Sequence, residues 1–149
     1  MATGCRHHGT PVTRGTRTMA VKDSRRRVST PGAPAPAFAY SQGIVSGGLL
    51  FVSGQVPVDP VTRTVPGTLA EQVHQCLRNV AAIAEAAGGR LEDAVRVGVY
   101  LADLGDFEEM DAAYREHFVE PLPARTTVGT GIKGFAVEVD AVIALTVEA

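Results

Sequence analysis

A single arginine stands between a proline-punctuated loop and a β-prone run, in the segment Pro-Leu-Pro-Ala-Arg-Thr-Thr-Val over residues 121–128. The guanidinium of Arg125 is a rigid fork of N–H donors that matches a carboxylate in two-point geometry. At the start of a strand, such a side chain is suited to anchor a small acidic metabolite. The alternative is that Arg125 is a surface residue or half of a structural ion pair, and this segment alone favours that alternative.

A candidate acidic partner lies in the last predicted strand, where Glu138 and Asp140 alternate with apolar residues. We expect this strand to pair with the strand of Arg125 as an antiparallel hairpin, in which opposed residues share a face. If Arg125 lies opposite Glu138, the two charges share a face, and a register shift of two residues places Arg125 opposite Asp140 on the same face. A register shift of one residue separates them. Arg125 and Glu138 then either form a plain ion pair, or Arg125 binds a ligand carboxylate while Glu138 holds a water. The residues alone favour the ion pair.

The cysteines and histidines argue against a disulfide framework and against a metal site. Cys5 lies in a polar N-terminal segment and Cys76 on the apolar stripe of a predicted helix. No two of the four histidines lie three or four residues apart on one element, as a compact metal site favours. We therefore expect no metal, and a reducing, cytoplasmic compartment.

Charge is unevenly distributed along the 149 residues. Residues 1–30 carry seven basic residues against one acidic residue, a net charge of +6, which leaves −8 for the remainder of a chain whose total is −2. The acidic remainder offers no basic stripe for nucleic acid, and no apolar run approaches the roughly 20 residues that span a bilayer. We expect neither a nucleic acid nor a membrane as partner.

Residues 1–27 are predicted to be a disordered basic extension, because they contain few large apolar residues and no periodicity. The segment is arginine-rich like an organellar transit peptide but shows no amphipathic helix. Translation from Met19, or cloning-derived sequence, is the favoured interpretation. Residues 28–149 are predicted to form a single domain.

Two helices are predicted in that domain. Thr68 and Glu71 form a Thr-x-x-Glu capping box, and an apolar stripe follows until Gly88-Gly89 ends the helix. A second helix begins at Asp106, with Glu109 as its capping partner, and buries a stripe that includes Met110 and Tyr114.

Five strands are predicted, over 40–45, 49–53, 95–101, 124–129 and 136–147. Gly47-Gly48 joins the first two as a hairpin, and strict alternation in the third directs Val95, Val97, Val99 and Leu101 inward. The order β-β-α-β-α-β-β predicts an α+β domain with one mixed sheet and both helices on one face. If the other face is apolar, the chain should oligomerise to bury it.

Several segments together resemble the Rid/YjgF family of reactive-intermediate deaminases. They are Tyr-Ser-Gln at 40–42, Val-Ser-Gly-Gln-Val-Pro at 52–57, and the segments of Arg125 and Glu138. The order and spacing of the elements also resemble that family over residues 28–147. The resemblance implies a chorismate-mutase-like fold, a homotrimer with ligand sites between subunits, and hydrolysis of 2-imino acids or their enamine tautomers to 2-keto acids and ammonia, without metal or organic cofactor.

The resemblance also implies roles for single residues. Arg125 corresponds to the arginine that binds the substrate carboxylate, and Glu138 to the glutamate that positions the hydrolytic water. Tyr40 and Ser53 correspond to pocket residues near the reacting group, and Gly54 contributes backbone.

Three positions depart from the family pattern. Thr127 stands where a cysteine is frequent, at a position where the backbone carbonyl contacts the ligand. Phe38-Ala39 replaces a Gly-Pro before the tyrosine. The loop 129–134 is shorter and lacks a further arginine, so substrate size and polarity stay open. Two alternatives to an imine deaminase therefore remain, a non-catalytic trimer that binds carboxylate metabolites and a deaminase of another substrate within one pathway.

Overall fold

A computed structural model describes residues 24–146 of the chain. Six strands form one mixed sheet in the order β1-β2-β3-β6-β4-β5. The strands are β1 Arg26–Val28, β2 Gly43–Ser46, β3 Leu49–Gln55, β4 Ala94–Leu101, β5 Ala124–Gly129 and β6 Val137–Ala144; the helices are α1 Leu69–Ala86 and α2 Phe107–Arg115. This is the α+β architecture with two helices predicted from the sequence.

The last two strands do not form a hairpin, which corrects the sequence-based expectation. β5 pairs with β4 in parallel, and β6 pairs with the other edge of β4 antiparallel. The physical reason is the connection: β4, α2 and β5 form a strand–helix–strand crossover, which returns the chain in the same direction. The loop after β5 then passes beyond β4, so that β4 separates the strand of Arg125 from that of Glu138.

The helix termini differ in how well the sequence predicted them. The capping box of α1 is present, with the Thr68 hydroxyl accepting from the Glu71 amide and the Glu71 carboxylate accepting from the Thr68 amide. Asp106 occupies the N-cap position of α2 but makes no side-chain capping hydrogen bond. The predicted capping pair of Asp106 and Glu109 is therefore wrong, because a short 3-10 turn over Leu104–Asp106 runs directly into α2.

Both helices cover one face of the sheet. Along β6, buried residues alternate with half-buried ones, and the buried set belongs to the core beneath the helices. Val97, Val99 and Leu101 of β4 are buried there as predicted. Val95 is exposed instead, because a register shift between Ala94 and Arg96 reverses its direction.

The N-terminal hairpin agrees with the sequence at its turn and differs at its edge. Gly47 and Gly48 both have positive φ, at 61° and 77°, which a side chain would disfavour. β1 pairs with β2 through Arg26–Val28. The prediction of disorder is therefore wrong for residues 26 and 27, and for residues 1–23 it lies outside the described part of the chain.

Candidate functional site

Four of the predicted site residues line one open pocket of about 970 Å³: Tyr40, Ser53, Gly54 and Glu138. Its walls are the segment that precedes β2, the loop after β3 and the turn before β6. Gln42 fixes the first wall, because its buried side-chain amide donates to the carbonyls of Thr30, Ala33 and Pro34 at 2.9–3.1 Å. No local sequence pattern predicts this role of Gln42.

Glu138 lies on the backbone of Gly54. A Cβ at residue 54 would collide with the Glu138 carboxylate, so glycine is the residue that permits this contact. Burial, and then the neighbouring charge of Asp140, raise the pKa of Glu138 above its ordinary value. A carboxylate with a raised pKa in the lining of a pocket is suited to take up and return a proton.

The two hydroxyl-bearing residues of the pocket are fixed by backbone contacts. The Ser53 hydroxyl donates to the carbonyl of Ser41 at 2.6 Å, which commits its proton and leaves its oxygen as an acceptor. The Tyr40 hydroxyl accepts a long hydrogen bond of 3.4 Å from the amide of Ala37, and about half of the tyrosine is exposed. Both groups are held where a polar ligand can reach them.

Arg125 lies on the other side of the sheet. It is in register with Val97 and Ala141, which are core residues under the helices, whereas Glu138 alternates with core residues and points away from the helices. The ion-pair partner of Arg125 is Asp111 of α2, with 2.8 Å between Nη1 and Oδ1. The expected pair of Arg125 with Glu138 is therefore wrong, since one chain directs these two side chains to opposite faces.

The Arg125 guanidinium contacts two aromatic rings of α2 in addition to the Asp111 carboxylate. Its central carbon lies 4.6 Å from the ring centroid of Tyr114 and 5.6 Å from that of Phe107, both within cation–π range. Asp111 also accepts from Nε of Arg115 at 2.8 Å. Hydrogen bonds from Arg115 and Arg125 lower the pKa of Asp111, so this carboxylate stays ionised.

A second, smaller hollow of about 250 Å³ lies over this arginine and is lined by Asp111, Tyr114, Arg115, Leu122, Pro123 and Arg125. Thr127 alternates with Arg125 along β5 and therefore shares its face. The hydroxyls of Thr127 and Tyr114 are buried and have no hydrogen-bond partner within residues 24–146. Burial raises the pKa of Tyr114 to about 12, so its hydroxyl remains a donor. An unpaired buried hydroxyl costs about 1–3 kcal/mol, which a bound polar ligand would recover.

Other chemically notable groups do not join either pocket. Cys76 is buried, and burial raises the pKa of its thiol, so it is not an accessible nucleophile. Within the described residues, no group of three or more His, Cys, Asp or Glu side chains could hold a metal ion. No helix in the same range is long and apolar enough to cross a membrane.

Comparisons with known proteins decide the family. The family model described as Endoribonuclease L-PSP matches residues 30–145. The chain belongs to the Rid/YjgF family. The RutC family protein y4sK of Sinorhizobium fredii (strain NBRC 101917 / NGR234) is 48% identical over 122 residues, which cover 80% of this chain and 97% of that protein.

Two further Rid relatives bear on fold and activity. The 2-iminobutanoate/2-iminopropanoate deaminase of Escherichia coli (strain K12) is 42% identical over 106 residues, covering 69% of this chain and 83% of that enzyme. The crystal structure of RidA from the Antarctic bacterium Psychrobacter sp. PAMC 21119 superposes with a TM-score of 0.77 at 35% identity, covering 80% of this chain and 99% of that one. The predicted family and fold class are thereby confirmed.

Thr127 lies on the strand of Arg125, but the other two departures from the Rid pattern lie at the larger pocket. Phe38 and Phe135 line it, together with Lys133 from the shortened loop. Phe38 is 86% exposed, so it stands at the rim and does not pack into the core. Asp111, Arg115 and Tyr114 are not among the site residues predicted from the sequence, which places Tyr114 only on the buried face of the second helix. The i, i+4 spacing of Asp111 and Arg115 predicts their own ion pair, but the contact of Asp111 with Arg125 depends on the β4-α2-β5 crossover, which no local sequence pattern predicts.

Proposed function

We propose that the chain hydrolyses 2-imino acids, or their enamine tautomers, to 2-keto acids and ammonia. The observation that carries this proposal is the Glu138 carboxylate, whose pKa is raised, on the backbone of Gly54 and in one pocket with Ser53 and Tyr40. Membership of a family that includes an imine deaminase at 42% identity supports it.

The reaction needs one water and proton transfers within the pocket. A protonated imine carbon is already electrophilic, so an activated water suffices as nucleophile. Glu138 takes a proton from that water as it attacks, which gives a neutral carbinolamine, and returns the proton to the amino nitrogen. As the C–N bond breaks and the carbonyl forms, Glu138 accepts the proton of the carbinolamine hydroxyl and passes it to the departing ammonia. The keto acid and an ammonium ion leave. A positioned acid–base group of this kind contributes about 10²–10⁴-fold in rate.

Arg125 is proposed as the anchor of the substrate carboxylate, with Thr127 beside it contributing its backbone. Because Arg125 and Glu138 point to opposite faces of one chain, we propose that the site is completed by a second copy in a homotrimer. The open face of the sheet supports this assembly, since Ile44, Phe51 and Val142 lie in one register across it and Phe51 is 47% exposed. The cytoplasm remains the proposed location.

The test generates 2-iminobutyrate in situ with an amino-acid oxidase in the presence of semicarbazide. Semicarbazone formation then reports the imine that escapes hydrolysis, and wild type should suppress it. Arg125→Ala should lose roughly 30- to several-thousand-fold in kcat/KM, because the substrate carboxylate is left unpaired. Arg125→Lys should also be impaired, since a point charge cannot reproduce the two-point fork.

A matched control is available in Arg90, which forms an exposed ion pair with Asp93 at 3.2 Å, away from both pockets. Arg90→Ala should suppress the semicarbazone as wild type does. If a verified wild-type trimer fails to suppress it, imine deamination is wrong. Binding of keto acids without turnover would then favour a carboxylate-binding protein.

A further inference from the structure

An internal carboxylate already occupies part of the proposed anion anchor. Asp111 contacts Nη1 of Arg125 at 2.8 Å, and both side chains are about one-fifth exposed. Nη1 contributes to the end-on donor pair of a guanidinium, while Nε and Nη2 form a second two-point edge. An incoming carboxylate must therefore share the guanidinium with Asp111, at a separation of a few ångströms between two negative charges.

The charge of Asp111 is only partly cancelled. Arg115 holds its other oxygen at 2.8 Å, but the Arg115 side chain is 68% exposed, so solvent screens that contact. The cluster of Asp111, Arg115 and Arg125 carries one net positive charge. It still attracts a single anion, but less strongly than Arg125 would without Asp111.

We propose that Asp111 is a specificity-determining residue that weakens the hold of the Arg125 site on carboxylates, so that the keto acid product is released. The inference rests on the proposed function of Arg125 as carboxylate anchor. Imino acid and keto acid carry the same carboxylate, so stronger binding of that group lowers KM without raising kcat and delays release of the product. Asp111 limits that shared affinity, and a ligand with a second carboxylate near Arg125 is disfavoured further.

The isosteric change Asp111→Asn separates charge from geometry. The amide oxygen still accepts from Nη1 of Arg125, so the guanidinium keeps its position above Tyr114 while the negative charge disappears. For like charges about 5 Å apart in a partly exposed site, we expect 2-oxobutyrate to bind roughly 5- to 50-fold more tightly. Asp111→Ala also removes the charge but loses the acceptor that orients Arg125.

The experiment measures the dissociation constant of 2-oxobutyrate by calorimetry on the full-chain protein at low and at 1 M salt, for wild type, Asp111→Asn, Asp111→Ala and Arg125→Ala. The uncharged probe 2-oxobutyramide is measured in parallel. Asp93→Asn, which removes a carboxylate from the exposed pair with Arg90, is the matched control and should bind as wild type. Steady-state kinetics of Asp111→Asn should show a lower KM and no increase in kcat.

The expected result is tighter binding by Asp111→Asn that shrinks at 1 M salt, where the screening length falls to about 3 Å, and no gain for the uncharged probe. Unchanged or weaker 2-oxobutyrate binding by Asp111→Asn overturns the inference. If Arg125→Ala weakens binding in that case, the anchor role of Arg125 stands. If Arg125→Ala binds as wild type, both the anchor and the inference fail. Tighter binding by Asp111→Asn in a protein without deaminase activity supports the inference and contradicts the proposed reaction alone.

Discussion

The two halves of the candidate site treat charge in opposite ways. Arg125 is stabilised within its own chain by Asp111 and by two aromatic rings of α2. Glu138 lies against the backbone of Gly54 beside a second carboxylate, Asp140, and its pKa is raised. The surroundings of Arg125 therefore hold the guanidinium in place, whereas the surroundings of Glu138 disfavour its ionised carboxylate.

This difference matches the proposed division between substrate binding by Arg125 and proton transfer by Glu138. An anchor works best when it stays ionised and oriented, whereas a group that exchanges protons works best with a pKa near the working pH. Raising the pKa of Glu138 moves it in that direction and costs stability, because its ionised form is disfavoured in the folded chain.

The change with the largest expected effect is Glu138→Gln. It should lower kcat by about 10²–10⁴-fold while keto acid binding persists, because Arg125, the proposed carboxylate anchor, is unchanged. Stopped-flow assays of imine loss and calorimetry with 2-oxobutyrate measure the two quantities. Loss of binding together with activity would show that the two halves do not divide the work in this way.

The same variant tests how much the ionised Glu138 carboxylate lowers the stability of the folded protein. A folded-state pKa above the unfolded value favours folding below the unfolded pKa, and that contribution is lost as pH rises through the folded pKa. Glu138→Gln should therefore be more stable than wild type at neutral pH, by less than about 1 kcal/mol for a partly exposed group, and should lose that advantage near pH 4. Thermal unfolding at both pH values checks this.

The next prediction tests whether the Arg125 and the Glu138 of one site come from different copies of the chain. Arg125→Ala and Glu138→Gln should each be nearly inactive, but trimers refolded from an equal mixture should regain about a quarter of wild-type activity. Each site between two copies then has that chance of receiving an intact arginine from one and an intact glutamate from the other. Mixing without refolding is the control. No recovery in verified mixed trimers would mean that each chain builds its site alone.

The sequence predicted local structure well where one element carried its own signal. The capping box at Thr68, the apolar stripe through Cys76, and the Gly47-Gly48 turn are all set by neighbouring residues, and all are confirmed. The predicted hairpin of β5 and β6 is wrong, because these two strands are adjacent in the sequence but are separated by β4 in the sheet. Pairing of β5 with β4 is decided by where α2 packs, which no local pattern records.

The residues of the larger pocket were indicated by the family resemblance and not by a local pattern. The resemblance implies Tyr40 and Ser53 as pocket residues, Gly54 through its backbone and Glu138 as the group that positions the water, and all four line one pocket. Asp111 escaped prediction as the partner of Arg125, because α2 is brought against β5 only by the crossover. Alternation along β6 correctly separated Glu138 from the core. It could not show that Arg125 would face the other way, because that depends on its register with Val97.

The smallest predicted effect concerns the histidine contact that follows α2. Nδ1 of His74 and Nε2 of His117 are 2.7 Å apart, so one nitrogen must donate and the other accept. Burial lowers the pKa of His117, and the charges of His74 and Arg78 lower it further, while Glu116 opposes them. Protonating both rings would remove the acceptor and weaken the attachment of this end of α2 to α1.

The sign of the resulting pH dependence is opposite to that of Glu138. With a folded-state pKa below the ordinary value of about 6.5, His117 contributes stability that is complete above that value and lost as pH falls through the folded pKa. Urea unfolding at one fixed protein concentration should show wild type losing up to about 1 kcal/mol between pH 7.5 and pH 5.5. His117→Gln can still hydrogen-bond to His74 and should lose less, so an equal loss in both proteins would contradict this assignment. Because α2 carries Asp111 and Tyr114, acid should weaken the packing of α2 that positions Arg125. The same acid should remove the free-energy cost of the ionised Glu138 carboxylate.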